Sequence, residues 1–258
     1  MEWHDQGIII GAKKHGETSV ILELITRRYG RHLGLVRGGR SRKMQPIIQV
    51  GNSIDVIWRA RLEDHLGTYQ VEPLNLRASH LMANQIGLYG VQTLAHYLRL
   101  LPEREPCLHL YEASQVILDY MDNPQVAGEL MLRFELAILD DLGFGLDLSQ
   151  CAATGLRDEL IYVSPKSGRA VSREAGTPFA PKLLGLPQFL LPKAVGNPLL
   201  TYGHNGQEER QPASAEEIKT GERLCDYFFN RNVYVPRGVA ACDNRERFFN
   251  AVIKQLKT

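Results

Sequence analysis

The chain has 258 residues, of which 44% are hydrophobic and 23% charged, and its formal net charge is +1. That is the make-up of a globular protein with a sizeable core and one or two domains. No apolar run approaches the roughly 18 residues that cross a bilayer, and the start, MEWHDQGIII, lacks the basic region of a secretory signal, so a cytoplasmic protein without a membrane partner is expected.

The near-neutral total hides an asymmetry. Residues 1–80 carry twelve Lys/Arg against eight Asp/Glu, and residues 27–43 hold seven of those cations and no acid. The same region reads as short strands split by glycines and polar turns: 6–14, 19–28, 31–39, 52–61 and 67–73. Ile54, Val56 and Trp58 alternate with polar neighbours such as Asp55 and Arg59 in the fourth. Five short strands with no helical pattern between the first three predict a small barrel of the OB type.

The basic run allows three readings. It is a solvated loop, a phosphate cradle, or a nucleic-acid groove. GLVRGGRS (34–41) nearly matches GxxxxGK[ST], but Arg40 stands where Lys is needed and RKMQPII has no helical period to complete a cradle. A nucleotide-binding enzyme is therefore the weaker alternative. If 19–28 and 31–39 are neighbours, Arg27, Arg28, Arg31, Arg37, Arg40, Arg42 and Lys43 are expected on one side, where they would neutralise phosphates. Tyr29 sits among them as a possible stacking platform; Trp58 reads more readily as core.

Past Pro73 the period becomes helical. SHLMANQIGLYGVQTLAHYLRLL (79–101) opens on a Ser cap candidate and is apolar nearly all round, PEREP breaks it, and helices are predicted at 107–122 and 125–143, the latter with Gly143 as C-cap. Residues 146–181 lose the period, and two further helices are predicted at about 213–231 and 244–256. The fold class is α+β, with a barrel over 1–78 and a mainly helical domain over 79–258. The four cysteines, at 107, 151, 225 and 242, are too dispersed for a CxxC pair and fit free thiols. No HExxH or GxSxG occurs, and the adjacent Asp140 and Asp141 point to different faces, so nothing requires an active site or a cofactor.

GIIIGAKKHGETSVILELITRRYGRHLGLVRGGRSRK resembles the N-terminal region of the RecO family of bacterial recombination mediators. LRFELAILDDLGFGLDLSQCAATG (132–155) is similar to that family's most specific motif, and RNVYVPRGVAACDNRERFFNAVI resembles its Arg-containing last helix more loosely. The resemblance implies an OB fold followed by a helical domain, and a non-enzymatic role in DNA repair. It implies binding to single- and double-stranded DNA, strand annealing, and help in loading RecA near the nucleoid. The partners it implies are RecR and the acidic C-terminal tail of single-strand-binding protein. DNA contacts would fall on the arginines of 27–43. Many members hold zinc with two CxxC pairs; here the pairs read CAAT, keeping Cys151 but with Thr154, and SREA, with Ser172 and Ala175. A degenerate zinc-ribbon-like insertion folding without metal over 146–181 is expected, held by apolar residues such as Leu160, Tyr162 and Phe179. An OB-fold RNA-binding protein remains the other alternative.

Overall fold

The computed structural model describes residues 1–192 and 212–257. The chain divides into two compact units, Met1–Asp122 and Asn123–Thr258. In the first unit, β1 (Glu2–His15), β2 (Ser19–Thr26), β3 (Gly30–Val36), β4 (Ser53–Arg59) and β5 (Thr68–Asn75) pair in the order β1-β2-β3-β5-β4 and close on themselves. All pairs are antiparallel except β3 with β5, which meet in parallel where Leu35 faces Thr68. Alternation puts Leu22, Leu24, Val36, Val56 and Trp58 inside, each such side chain contributing about 1.5–3 kcal/mol when fully buried. Gly34 is needed on the inner face, because a Cβ there would stand 2.6 Å from the Tyr69 ring.

Strands 2 and 3 are shorter than the sequence pattern predicts. The turn after Thr26 needs Gly30 at φ +62°, and the chain leaves β3 after Val36, where Gly38 takes φ +67°. The helix expected over 79–101 is two pieces, α1 (Ala78–Leu81) and α2 (Gln85–Leu98). Asn84, extended at φ −134°, accepts the Gly87 N–H and restarts the helix, so the effective cap is Asn84 and not Ser79. α3 (Leu108–Tyr120) completes this unit.

The second unit is built on α4 (Pro124–Asp141), with Asn123 as cap, Pro124 in the first turn and Gly143 at φ +83° beyond its end. Residues 146–181, expected to be irregular, contain β6 (Leu160–Val163), β7 (Ala170–Ser172) and α5 (Arg173–Gly176). With β8 (Leu184–Gly185) the strands form a three-stranded sheet in the order β7-β6-β8. Such strands of two to four residues are too short to show a period. Leu160 is buried, but Phe179 is 59% exposed and adds little by packing. α6 (Ala215–Phe229) starts on a reciprocal box in which Ser214 and Glu217 satisfy each other's N–H groups. A π turn over Asn230–Tyr234 leads into α7 (Val235–Arg237), and α8 (Asp243–Leu256) follows. Phe134, Leu224, Phe228, Phe248 and Phe249 fill this core. Among the described residues no helix is long and apolar enough to cross a membrane.

Candidate nucleic-acid interface

The seven cations of residues 27–43 do not share one side. Strand β3 separates them into two groups, since its seven residues span about 20 Å at roughly 3.3 Å each. At the β2–β3 turn, Arg28 is tied down. Its backbone N–H and Nε donate to the buried Asp5 carboxylate at 2.7 and 3.2 Å, and its guanidinium also reaches the His4 carbonyl. Arg27 lies 3.8 Å from Glu112. Arg31 is structural: it contacts Glu23 at 2.6 Å and Glu103 at 3.4 Å, and donates to the Leu101 carbonyl at 2.9 Å.

Arg37, Arg40, Arg42 and Lys43 lie beyond the other end of β3, in the segment that leads to β4. Arg40 fastens this segment to the β1–β2 turn. Its backbone N–H donates to the Thr18 carbonyl at 3.0 Å, and its Nη1 to those of Glu17 and Gly16 at 2.6 and 3.2 Å. That hairpin places Lys13 opposite Ile21 and Lys14 opposite Val20. Lys14 and Arg40, with Gln45 and Gln49, line a cavity of about 430 Å³. A second cavity of about 390 Å³ is lined by Arg37, Met44, Arg59 and Gln70. Lys13, Lys14, Arg37, Arg42 and Lys43 are exposed and, among the described residues, hold no ion pair. Glu17 is the one acid in segments 11–18 and 37–52. Lys14 was not among the predicted contacts, because only the hairpin register brings it to the later loop, and Lys13 stands exposed next to it on β1.

The platform is held firmly from below. Ile48 belongs to the barrel core, and Met44 and Ile47 pack against it. The fully buried Asn52 donates to the Pro46 and Ile47 carbonyls, both at 2.9 Å, and accepts the Ala78 N–H at 2.9 Å. The cations therefore stand on a preformed surface. No helix begins anywhere in residues 37–52, so GLVRGGRS lacks the aligned amides of a phosphate cradle, and the nucleotide-binding alternative fails on geometry.

The aromatic residues gather at the end of the barrel that carries the β2–β3 turn. Tyr29 stacks on Trp3 at 4.4 Å between centroids, and Trp3 on Trp58 at 5.6 Å. Trp58 is core, its Nε1 donating to the Leu66 carbonyl at 3.0 Å. Burial, reinforced by the charge of Arg104, pushes the His32 imidazole down to about 4, so it is neutral at pH 7.

In the second unit, Cys151 and Ser172 meet: the Ser172 N–H and hydroxyl donate to the Cys151 Sγ at 3.3 and 3.4 Å. Burial pushes the Cys151 thiol up, but hydrogen bonds from Ser172, Thr154 and backbone amides outweigh it and hold it at about 6. One thiol beside hydroxyls does not fit zinc. Among the described residues no three His, Cys, Asp or Glu side chains gather to hold a metal ion.

Residues 1–77 match the family model described as Recombination protein O N terminal, and residues 88–239 match Recombination protein O C terminal. Proteins named DNA repair protein RecO are similar throughout. That of Sinorhizobium medicae is 55% identical over 258 residues, covering 100% of this chain and 97% of its own length. Those of Agrobacterium fabrum and Mesorhizobium japonicum are each 54% identical over 100% of this chain, covering 95% and 96% of their own lengths.

Proposed function

The chain belongs to the RecO family of DNA repair and recombination proteins, and from that premise we propose that it binds single- and double-stranded DNA through the cationic end of its barrel. The observation that carries this reading is the platform of Lys13, Lys14, Arg37, Arg42 and Lys43, exposed and without ion pairs among the described residues. Six cations, counting Arg40, release condensed counterions when they meet phosphates, which gives strong, salt-dependent binding without sequence preference. Two strands held on one such surface repel each other less, and annealing follows.

We read the barrel as OB type. Its order, with β3 beside β5 and β1 between β2 and β4, supports that reading. In this account residues 1–78 contact DNA and residues 79–258 engage partners. The small sheet around Cys151 and Ser172 is read as a zinc ribbon that has lost its metal. RecR and the acidic tail of single-strand-binding protein are the proposed partners, and RecA loading the outcome. Exposed Val235 and Val239, with Arg237 between them in sequence, supply apolar and basic groups suited to such a tail. The protein works without catalysis, in the cytoplasm at the nucleoid.

The deciding experiment is annealing of complementary DNA strands coated with single-strand-binding protein. We expect acceleration that weakens when the acidic tail is deleted. No acceleration on coated or bare strands would overturn the mediator reading. Tighter binding to RNA than to DNA of equal sequence would favour an RNA-binding role instead.

A further inference from the structure

We propose that the aromatic cavity at the β2–β3 end of the barrel receives one unstacked nucleobase of a bound DNA strand. This rests on the DNA-binding reading above and adds a second, base-recognising site to its phosphate platform. The cavity holds about 310 Å³ and is lined by Trp3, Tyr29, His32, Trp58, Glu63 and Arg104, which is the scale of a small-ligand cleft.

Its chemistry selects an uncharged heteroaromatic ring. Tyr29, Trp3 and Trp58 stack nearly parallel, with interplanar angles of 14° and 19°, so their faces cover one another. A cage for an organic cation needs several ring faces turned on one point, which rings stacked nearly parallel on one another do not supply, whereas the flat face of a base can add to such a stack. A phosphate is opposed as well. Glu63 lines the cavity, as do Glu2, held by Arg59 at 2.7 Å, and Met1, whose N-terminal ammonium is engaged by the Ala60 carbonyl at 2.7 Å. The Arg104 guanidinium is occupied, donating to the carbonyls of Glu63, Asp64 and His65 at 2.7, 3.1 and 3.2 Å.

Polar tips are present to read a base edge. Among the described residues Trp3 Nε1, Tyr29 Oη and His32 Nε2 have no hydrogen-bond partner, while His32 Nδ1 is held by the Leu33 carbonyl at 3.0 Å and the Tyr69 hydroxyl at 2.9 Å. The wall is also built at a cost. Arg104 sits at φ +64°, a region non-glycine residues avoid, and its bonds clasp the β4–β5 loop over the cavity. Five residue steps along β3 lead from His32 to Arg37, about 17 Å of extended chain. One short single strand can therefore reach from the platform to the cavity.

Trp3 and Trp58 are the chain's two tryptophans and both line the cavity, so intrinsic emission reports its occupancy. The test titrates the full-length protein with an oligothymidylate of about twelve nucleotides and with an abasic deoxyribose-phosphate oligomer of equal length. Emission is read alongside the anisotropy of a labelled copy. We expect both oligomers to bind, the base-bearing one about tenfold tighter, and only that one to change tryptophan emission. Tyr29→Ala, or the volume-keeping Tyr29→Leu, should bring the affinity for oligothymidylate down to that for the abasic oligomer. Equal affinities with unchanged emission would overturn the cavity and leave the phosphate platform standing. Failure of both oligomers to bind would overturn the two together. An emission change with tetramethylammonium but not with oligothymidylate would also sink the base assignment.

Discussion

Arg31 Nη1 lies 2.6 Å from Glu23 Oε1, in a pair that is only 17% and 16% exposed at its side chains. The other oxygen of that carboxylate is 2.7 Å from Arg99 Nε on the residue that ends α2. Arg31 therefore joins β3 to the helical part of its own unit and has little capacity left for a phosphate. Arg31→Ala should lower stability by about 1–3 kcal/mol, because it leaves a half-buried carboxylate short of a partner. DNA affinity of the folded fraction should stay within twofold. Urea titration and DNA anisotropy on the same preparation separate the two, and a large affinity loss at unchanged stability would return Arg31 to the interface.

The opposite pattern is expected at the platform. Arg37→Glu, Arg42→Glu and Lys43→Glu combined should weaken DNA binding at least tenfold at about 0.1 M salt, with the melting temperature nearly unchanged, since these side chains are exposed. Arg40 is left out of this set because it also fastens the loop to the β1–β2 turn. Unaltered binding in the triple variant would move the interface elsewhere.

Lys13 and Lys14 give a sharper measurement. Each phosphate contact contributes about 0.9 to the slope of log affinity against log salt on duplex DNA. Replacing both by Ala should flatten that slope by up to about 1.8, whatever the DNA sequence. A parallel loss at all salt concentrations, without a change of slope, would argue against phosphate contacts at these positions.

The run of charge at 27–43 was legible in the sequence, but its division was not. Placing Arg28 and Arg37 at opposite ends of one strand requires the β3 boundaries, and those depend on Gly30 and Gly38 adopting left-handed φ. Lys13 and Lys14 needed the β1–β2 register, a long-range fact that no local pattern carries. The α4, α6 and α8 helices were readable because fourteen or more residues of period 3.6 leave a clear apolar stripe. The break at residues 82–84 was not. An apolar segment suits a continuous helix equally well, and only the Asn84 side chain, accepting from Gly87, decides it. The sheet β7-β6-β8 escaped because strands this short are made by their neighbours.

His32 makes stability depend on pH. Its pKa is about 4 in the fold against 6.5 for the ordinary side chain, so between those values the unfolded chain binds the proton and the folded one does not. Stability is complete above about pH 6.5 and falls as pH drops towards 4, below which both states are protonated and the loss stops. The full difference corresponds to at most about 3 kcal/mol. His96 is lowered by burial too and acts in the same sense. His32→Gln should flatten the decline between pH 6.5 and 4 in a urea-denaturation series. An unchanged profile would show that His32 is not the group responsible.

Glu135 and Arg245 provide the corresponding test in the second unit. Arg245 Nε and Nη2 each donate to one Glu135 oxygen at 2.9 Å, and Nη2 also donates to the Glu222 carbonyl at 3.0 Å. The carboxylate is wholly buried on α4, and the arginine reaches it from α8. Arg245→Ala should cost about 3–5 kcal/mol by removing the two-pronged cationic partner of that buried charge. Arg245→Lys should cost less than Ala but more than a surface change, since one ammonium cannot reproduce the two-pronged contact. Glu135→Leu combined with Arg245→Met should recover much of the loss, because two apolar side chains of similar size need no pairing. A double-mutant cycle in urea measures the coupling, and a value near zero would mean that helix packing alone holds α4 to α8. DNA binding by the folded double variant should match that of the unaltered chain, because the proposed phosphate platform lies wholly within residues 13–43.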